Sequence, residues 1–194
     1  MLRADDSSRS ADVAGGDADA GRKRATRVTR IVASGKARSR ADEVRPLGGT
    51  WTVVFPATYC VHLMEEYGCG ESFYRWVSRV ADVAFTRRDF VTLNLAALAV
   101  MSFGAWLAAR HARMQWLVAT LGVIVAFNGF LHLVASAATW SYSPGLISGM
   151  GLWVPVGAHA LRRAYRQLPR LRFAGAVALG AVAHGVVSLL VLTR

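Results

Sequence analysis

The five consecutive residues His62-Leu63-Met64-Glu65-Glu66 carry the densest chemistry in this chain. On a helix, an imidazole and two carboxylates at i, i+3 and i+4 emerge from roughly one face. Two further polar sets have helical spacing. Asn128 and His132 are four apart, and Ser136 continues their stripe. Ala176, Gly180, His184 and Ser188 form a second four-residue stripe. Neutral imidazole nitrogen and carboxylate oxygen suit zinc, iron or manganese. The expected ligand set is therefore His62, Glu66, His132 and His184, with Asn128 and Ser188 supporting it from behind. Glu65 and Glu66 are the expected catalytic pair, one of them a general base for a metal-activated water. The HExxH spacing of zinc peptidases is absent, and the histidines are too few for the His boxes of membrane desaturases, so hydrolysis is favoured over oxidation.

The elements that must hold these residues are apolar. Five segments, approximately 49–67, 90–109, 115–138, 145–161 and 173–192, come close to the ~20 residues a helix needs to cross a bilayer. The expected fold is all-α, a multi-pass membrane bundle of about five helices. The first segment is interrupted by Pro56, and the fourth carries Pro155 and four glycines. Between the first two, Phe73, Trp76, Val77, Val80 and Ala84 recur at helical spacing, which predicts a short amphipathic helix over 71–88 lying in the membrane interface. Trp51, Trp140, Tyr142 and Trp153 read as an aromatic belt, and His159 and His111 as interfacial or loop histidines. Asn94 lies at the depth of the polar sets but outside the expected centre. Cys60 and Cys69 read as one packed and one loop thiol.

Residues 1–47 are unlike the rest. They are rich in Arg, Ala, Asp, Ser and Gly, contain no aromatic residue and read as a disordered tail. Their aspartates argue against a transit peptide, and no apolar stretch precedes residue 49 to act as a secretory signal. The whole chain has 194 residues, 54% of them hydrophobic, a net charge of +11 and a mean hydropathy of +0.32. The charge does not point to nucleic acid, because the basic residues sit in the tail and in short linkers rather than among exposed aromatics. Arg22-Lys23-Arg24 reads first as part of a solvated tail, with contact to anionic lipid head groups as the runner-up. Arg110 and Arg113 in one linker and five arginines between 162 and 172 in another, against an uncharged 139–144, place the N-terminus in the cytoplasm and the C-terminus outside. With ~1.5 Å of rise per residue, all three polar sets then fall at similar heights in the outer half of the bilayer.

His62-x-x-Glu65-Glu66, Asn128-x-x-x-His132 and His184-x-x-x-Ser188 resemble, in type and order, the signature motifs of the HXXEE family of membrane proteins. The likeness covers roughly residues 50–192. It implies a shared polar centre and supplies no reaction.

The function expected from these readings is a metal-dependent membrane enzyme, hydrolase-like, acting on a lipid or another hydrophobic molecule. The alternatives are a proton-coupled or cation-binding transport component and a non-catalytic scaffold. Charged groups inside a bilayer default to function. Two adjacent carboxylates are expensive glue for a scaffold, and five helices with no visible inverted repeat fit an alternating-access carrier poorly.

Overall fold

The computed structural model describes residues 47–194; the expected tail of 1–47 lies, except for Leu47, outside the described residues. Six helices make up the described chain, and no strand occurs among its residues. They are α1 (Val54–Gly68), α2 (Phe73–Ala81), α3 (Arg87–Arg110), α4 (Leu117–Thr139), α5 (Val154–Gln167) and α6 (Arg170–Leu192). A 3₁₀ turn at Thr50–Val53 leads into α1. A helical turn at Leu146–Ser148 and a π-helical turn at Gly149–Trp153 lead without a break into α5.

Three helical stretches are long and apolar enough to cross a membrane: Arg87–Arg110, Ala112–Thr139 and Arg170–Leu192. The first and fourth expected segments are helical too, but fall short of that measure. Pro56 does not interrupt α1. It lies in the first turn, where a missing N–H costs no intrahelical bond, and the helix runs through it. The fourth segment stays helical to Gln167, so its last turns carry Arg162, Arg163 and Arg166.

The central helix is α4. Helices α5 and α6 pack along it through small residues. A Cβ built on Gly129 would sit 2.5 Å from the Gly149 carbonyl oxygen, so the π turn and α4 touch backbone to backbone. On the other side, the expected stripe of Ala176, Gly180 and His184 faces α4. All three are buried, and Thr120 Oγ1 donates to the Ala176 carbonyl at 3.1 Å. Helix α3 also packs on α4, and α1 packs on α3. The backbones of α3 and α6 barely approach one another along their lengths.

They do meet at one end. Ala84 N–H donates to the Arg194 carbonyl at 3.0 Å, and Val191 of α6 is buried with Trp76, Val77, Phe85 and Phe90. The apolar face of α2 is thus spent on this plug. The helix stops at Ala81, short of the expected Arg88, because Asp82 turns left-handed at φ 52°. Thr86 and Asp89 then form a reciprocal cap that starts α3 three residues earlier than expected. Both cysteines are free and exposed, so Cys60 is not the packed thiol expected from its place on α1.

Candidate metal centre

The imidazoles of His62 on α1 and His132 on α4 meet with ring centroids 5.0 Å apart. Glu66, one turn beyond His62, sends Oε1 to both. It lies 3.5 Å from His62 Nε2 and 3.4 Å from His132 Nε2. All three residues are buried, and their donor atoms lie within 4.8 Å of one another. Zinc bonds of about 2.0–2.1 Å in a tetrahedron set neighbouring donors about 3.3–3.4 Å apart. The two carboxylate–imidazole spacings and the donor types therefore suit a divalent cation held by two imidazoles and a carboxylate.

The far side of each ring is fixed. His62 Nδ1 lies 2.7 Å from Ser148 Oγ, and His132 Nδ1 lies 3.0 Å from Ser143 Oγ. Asn128 holds its amide nitrogen 3.1 Å from His62 Nε2 and 3.3 Å from His132 Nε2. Protonated at Nε2, the two rings donate to Glu66 Oε1; protonated at Nδ1, they donate to their serines and both Nε2 atoms accept from the Asn128 amide. The Nδ1 tautomer leaves the Nε2 lone pairs converging on one point, as ligation requires. Trp153 stacks on His62 at 3.8 Å between centroids, and Phe73 meets the His132 ring edge-on at 5.7 Å. Gly145 closes the remaining side. A Cβ there would lie 2.8 Å from Cε1 of both histidines, and its φ of 100° is one that only glycine adopts readily.

Glu65 does something different. Its Oε1 accepts from Ile147 N–H at 2.9 Å and from the Tyr142 hydroxyl, and its Oε2 accepts from Ser148 N–H at 2.6 Å. A carboxylate at the first turn of the 146–167 helical run satisfies two N–H groups that have no intrahelical partner. The Ser148 hydroxyl also bonds to Glu65, so it links Glu65 to the ring of His62. Burial, and then the bond to Glu65, push the Tyr142 hydroxyl above the ordinary tyrosine range, so it stays a donor. The expected pairing of Glu65 and Glu66 as joint catalytic carboxylates gives way to a division. Glu66 faces the cluster, and Glu65 anchors the segment behind it.

The cluster forms part of the wall of a cavity of about 580 Å³. His184 and Ser188 line the same cavity from α6, but His184 is not in the close cluster. The four-ligand set expected from sequence thus becomes three, with His184 set apart. It packs edge-on against Phe127 at 5.4 Å instead. Asn94 also lines the cavity, paired with Tyr59, whose hydroxyl donates to it at 2.6 Å.

Several contributors were not foreseen. Trp153 and Tyr142 were expected in an aromatic belt; one is stacked on a site histidine and the other bonds Glu65. Ser143, Ser148 and Gly145 come from the linker and the turn after it. The one available signal was Ser136, whose Oγ accepts from Ser143 N–H at 2.8 Å and brings that linker onto the stripe of His132.

The fold and the cluster together define a helical bundle with a buried His/Glu centre. The family described as "Protein of unknown function with HXXEE motif" matches residues 53–160. That is more than half of the chain, which therefore belongs to this family. The match contains His62, Glu65, Glu66, Asn128 and His132 and ends before His184 and Ser188. No curated protein and no solved structure matches the chain.

Proposed function

We propose that the protein is an integral membrane enzyme whose His62, Glu66 and His132 hold one divalent cation, zinc, iron or manganese, and that it hydrolyses a hydrophobic substrate. The observation that carries this reading is the convergence of two Nε2 atoms and one carboxylate oxygen, all buried, on a cavity with mostly apolar walls. A cation held by His62, Glu66 and His132 would supply an acidified water and polarise a carbonyl, which is hydrolytic chemistry. The chain's own part is to keep both Nδ1 atoms protonated through Ser148 and Ser143, and to hold Glu66 as the charged ligand. For the Nε2 lone pairs to serve as ligands, Asn128 would have to release its two Nε2 contacts. Rotating the amide then turns its oxygen toward the site. In the proposed orientation the N-terminus is cytoplasmic, the C-terminus is outside, and the cluster lies in the outer half of the bilayer.

Metal content tests this directly. Protein purified in detergent and exposed in turn to Zn²⁺, Fe²⁺ or Mn²⁺ should retain about one equivalent of one of them by elemental analysis. Glu66→Gln and His132→Ala should each retain less than a tenth of that while remaining folded. A wild type that holds none of the three would sink the metal reading and leave the cation- or proton-relay alternative ahead.

A further inference from the structure

Two residues that line the cavity each bury a polar atom with no hydrogen-bond partner among the described residues, His184 Nε2 and Trp153 Nε1. His184 is only 6% exposed and Trp153 3%. Such atoms are rare in folded proteins, and each calls for a partner. An indole N–H can only donate, so the missing partner must bring an acceptor oxygen; an imidazole nitrogen can meet such an oxygen as a donor. Three other polar groups of the wall are engaged, Tyr59 with Asn94, Asn128 with two histidines and Ser143 with His132, while Ser188 stands one turn from His184 on the same wall.

The cavity also has a direction. Towards the C-terminal end of α6 it is closed by the buried plug of Trp76, Phe85, Phe90 and Val191. Sideways it is not closed, because α3 and α6 diverge from that end. Val100 of α3 lines the cavity and is nevertheless 71% exposed on the outside of the bundle. A molecule reaching the cavity through this gap arrives from the surroundings of α3 and α6, the two flanking helices apolar enough to sit in lipid.

We infer that the cavity admits, sideways between α3 and α6, a membrane-dissolved molecule with an acyl chain and an ester or carboxyl carbonyl, and that His184, with Trp153 beside the cavity, turns its ring to receive a carboxyl oxygen. The chain lies along apolar residues such as Leu93, Ala97 and Val100, with the carbonyl in the cavity that the cluster also lines. His184 is then a substrate-contacting residue and not a metal ligand. This deepens the reading of the cluster as a metal centre but does not require the metal, since the two orphaned atoms are independent of it.

The test uses full-length protein in phosphatidylcholine nanodiscs and reads quenching of tryptophan fluorescence, because Trp153 and Trp76 line the cavity. The probes are methyl 9,10-dibromostearate and, with no carbonyl, 9,10-dibromooctadecane. Wild type should show saturable quenching with at least tenfold preference for the ester. His184→Ala should bring the ester down to the alkane, leave the alkane unchanged and keep full metal content. His184→Asn, which restores a donor, should recover part of the preference. Ala96→Phe combined with Val100→Phe should weaken both probes tenfold, since it narrows the gap from its exposed side. Equal binding of both probes by wild type, or unchanged ester binding in His184→Ala, would overturn the inference. So would loss of metal in His184→Ala, which would make His184 a ligand. Unchanged binding in the double phenylalanine variant would overturn the sideways route. A metal-free protein that still prefers the ester would defeat the proposed function alone.

Discussion

A carboxylate that accepts two backbone N–H bonds and a phenol has few lone pairs left for chemistry, and Glu65 is in that position. Glu66 has both imidazoles near one oxygen and is free to turn that oxygen to a cation. The two should separate cleanly on mutation. Glu65→Ala leaves two N–H groups without partners inside the protein and should lower stability by about 2–4 kcal/mol, seen as a lower unfolding temperature. Glu66→Gln should change stability far less and abolish metal retention. Tyr142→Phe should fall between wild type and Glu65→Ala in unfolding temperature. Gly145→Ala should cost about 1–3 kcal/mol, because the added methyl meets both imidazoles and the backbone is left-handed there. It should also weaken metal binding, measured by competition with a chromophoric chelator. At this scale the sequence was legible where the spacing was helical. His62, Glu66, Asn128 and His132 could be grouped because i, i+4 pairs share a face. Ser143, Tyr142 and Gly145 could not, because they belong to a linker whose path has no period to read.

The elements were legible for a different reason, namely the length of their apolar runs. Helices α3, α4 and α6 emerge within three residues of the expected limits, since a long run with charged ends has few alternatives. The shortfall lies in the linker between the first two segments, where the left-handed Asp82 and the Thr86 cap split one expected helix into α2 and the start of α3. The position of His184 was misjudged by a related effect. Depth places residues on a common level, but it does not say how far apart helices stand, and α6 is held off α1 by α4 and the cavity. The contact of α4 with α5 makes its own prediction. Gly129→Val should force the π turn away from α4, since even a Cβ there overlaps the Gly149 carbonyl. Unfolding temperature and metal retention should fall together, because Ser148 is carried by the same segment.

For the whole molecule, the orientation can be read from two thiols. Cys60 and Cys69 are both exposed on the protein but, in the proposed orientation, at different heights: one faces lipid, the other lies beyond the outer end of α1. A membrane-impermeant maleimide added to intact cells should label Cys69 and spare Cys60, with Cys69→Ser losing the signal. Labelling only after lysis would reverse the orientation. The positive charge of the linkers made this expectation possible, and the same charge, summed over the chain as +11, would mislead if read without its positions.

The π turn at Gly149–Trp153 has an arithmetical consequence. Ser148 grips the edge of the His62 ring and Trp153 covers its face, and these two residues are five apart. On a regular helix, at about 100° per residue, five steps leave side chains about 140° apart, pointing to different neighbours. Widening one turn brings them back to a common side, so a single imidazole can be held at its rim and its plane by one stretch of chain. The site is thus keyed to a residue count as well as to residue types. Deleting Gly151 alone, which removes no contact to either histidine, should swing Trp153 off His62 and release the ring.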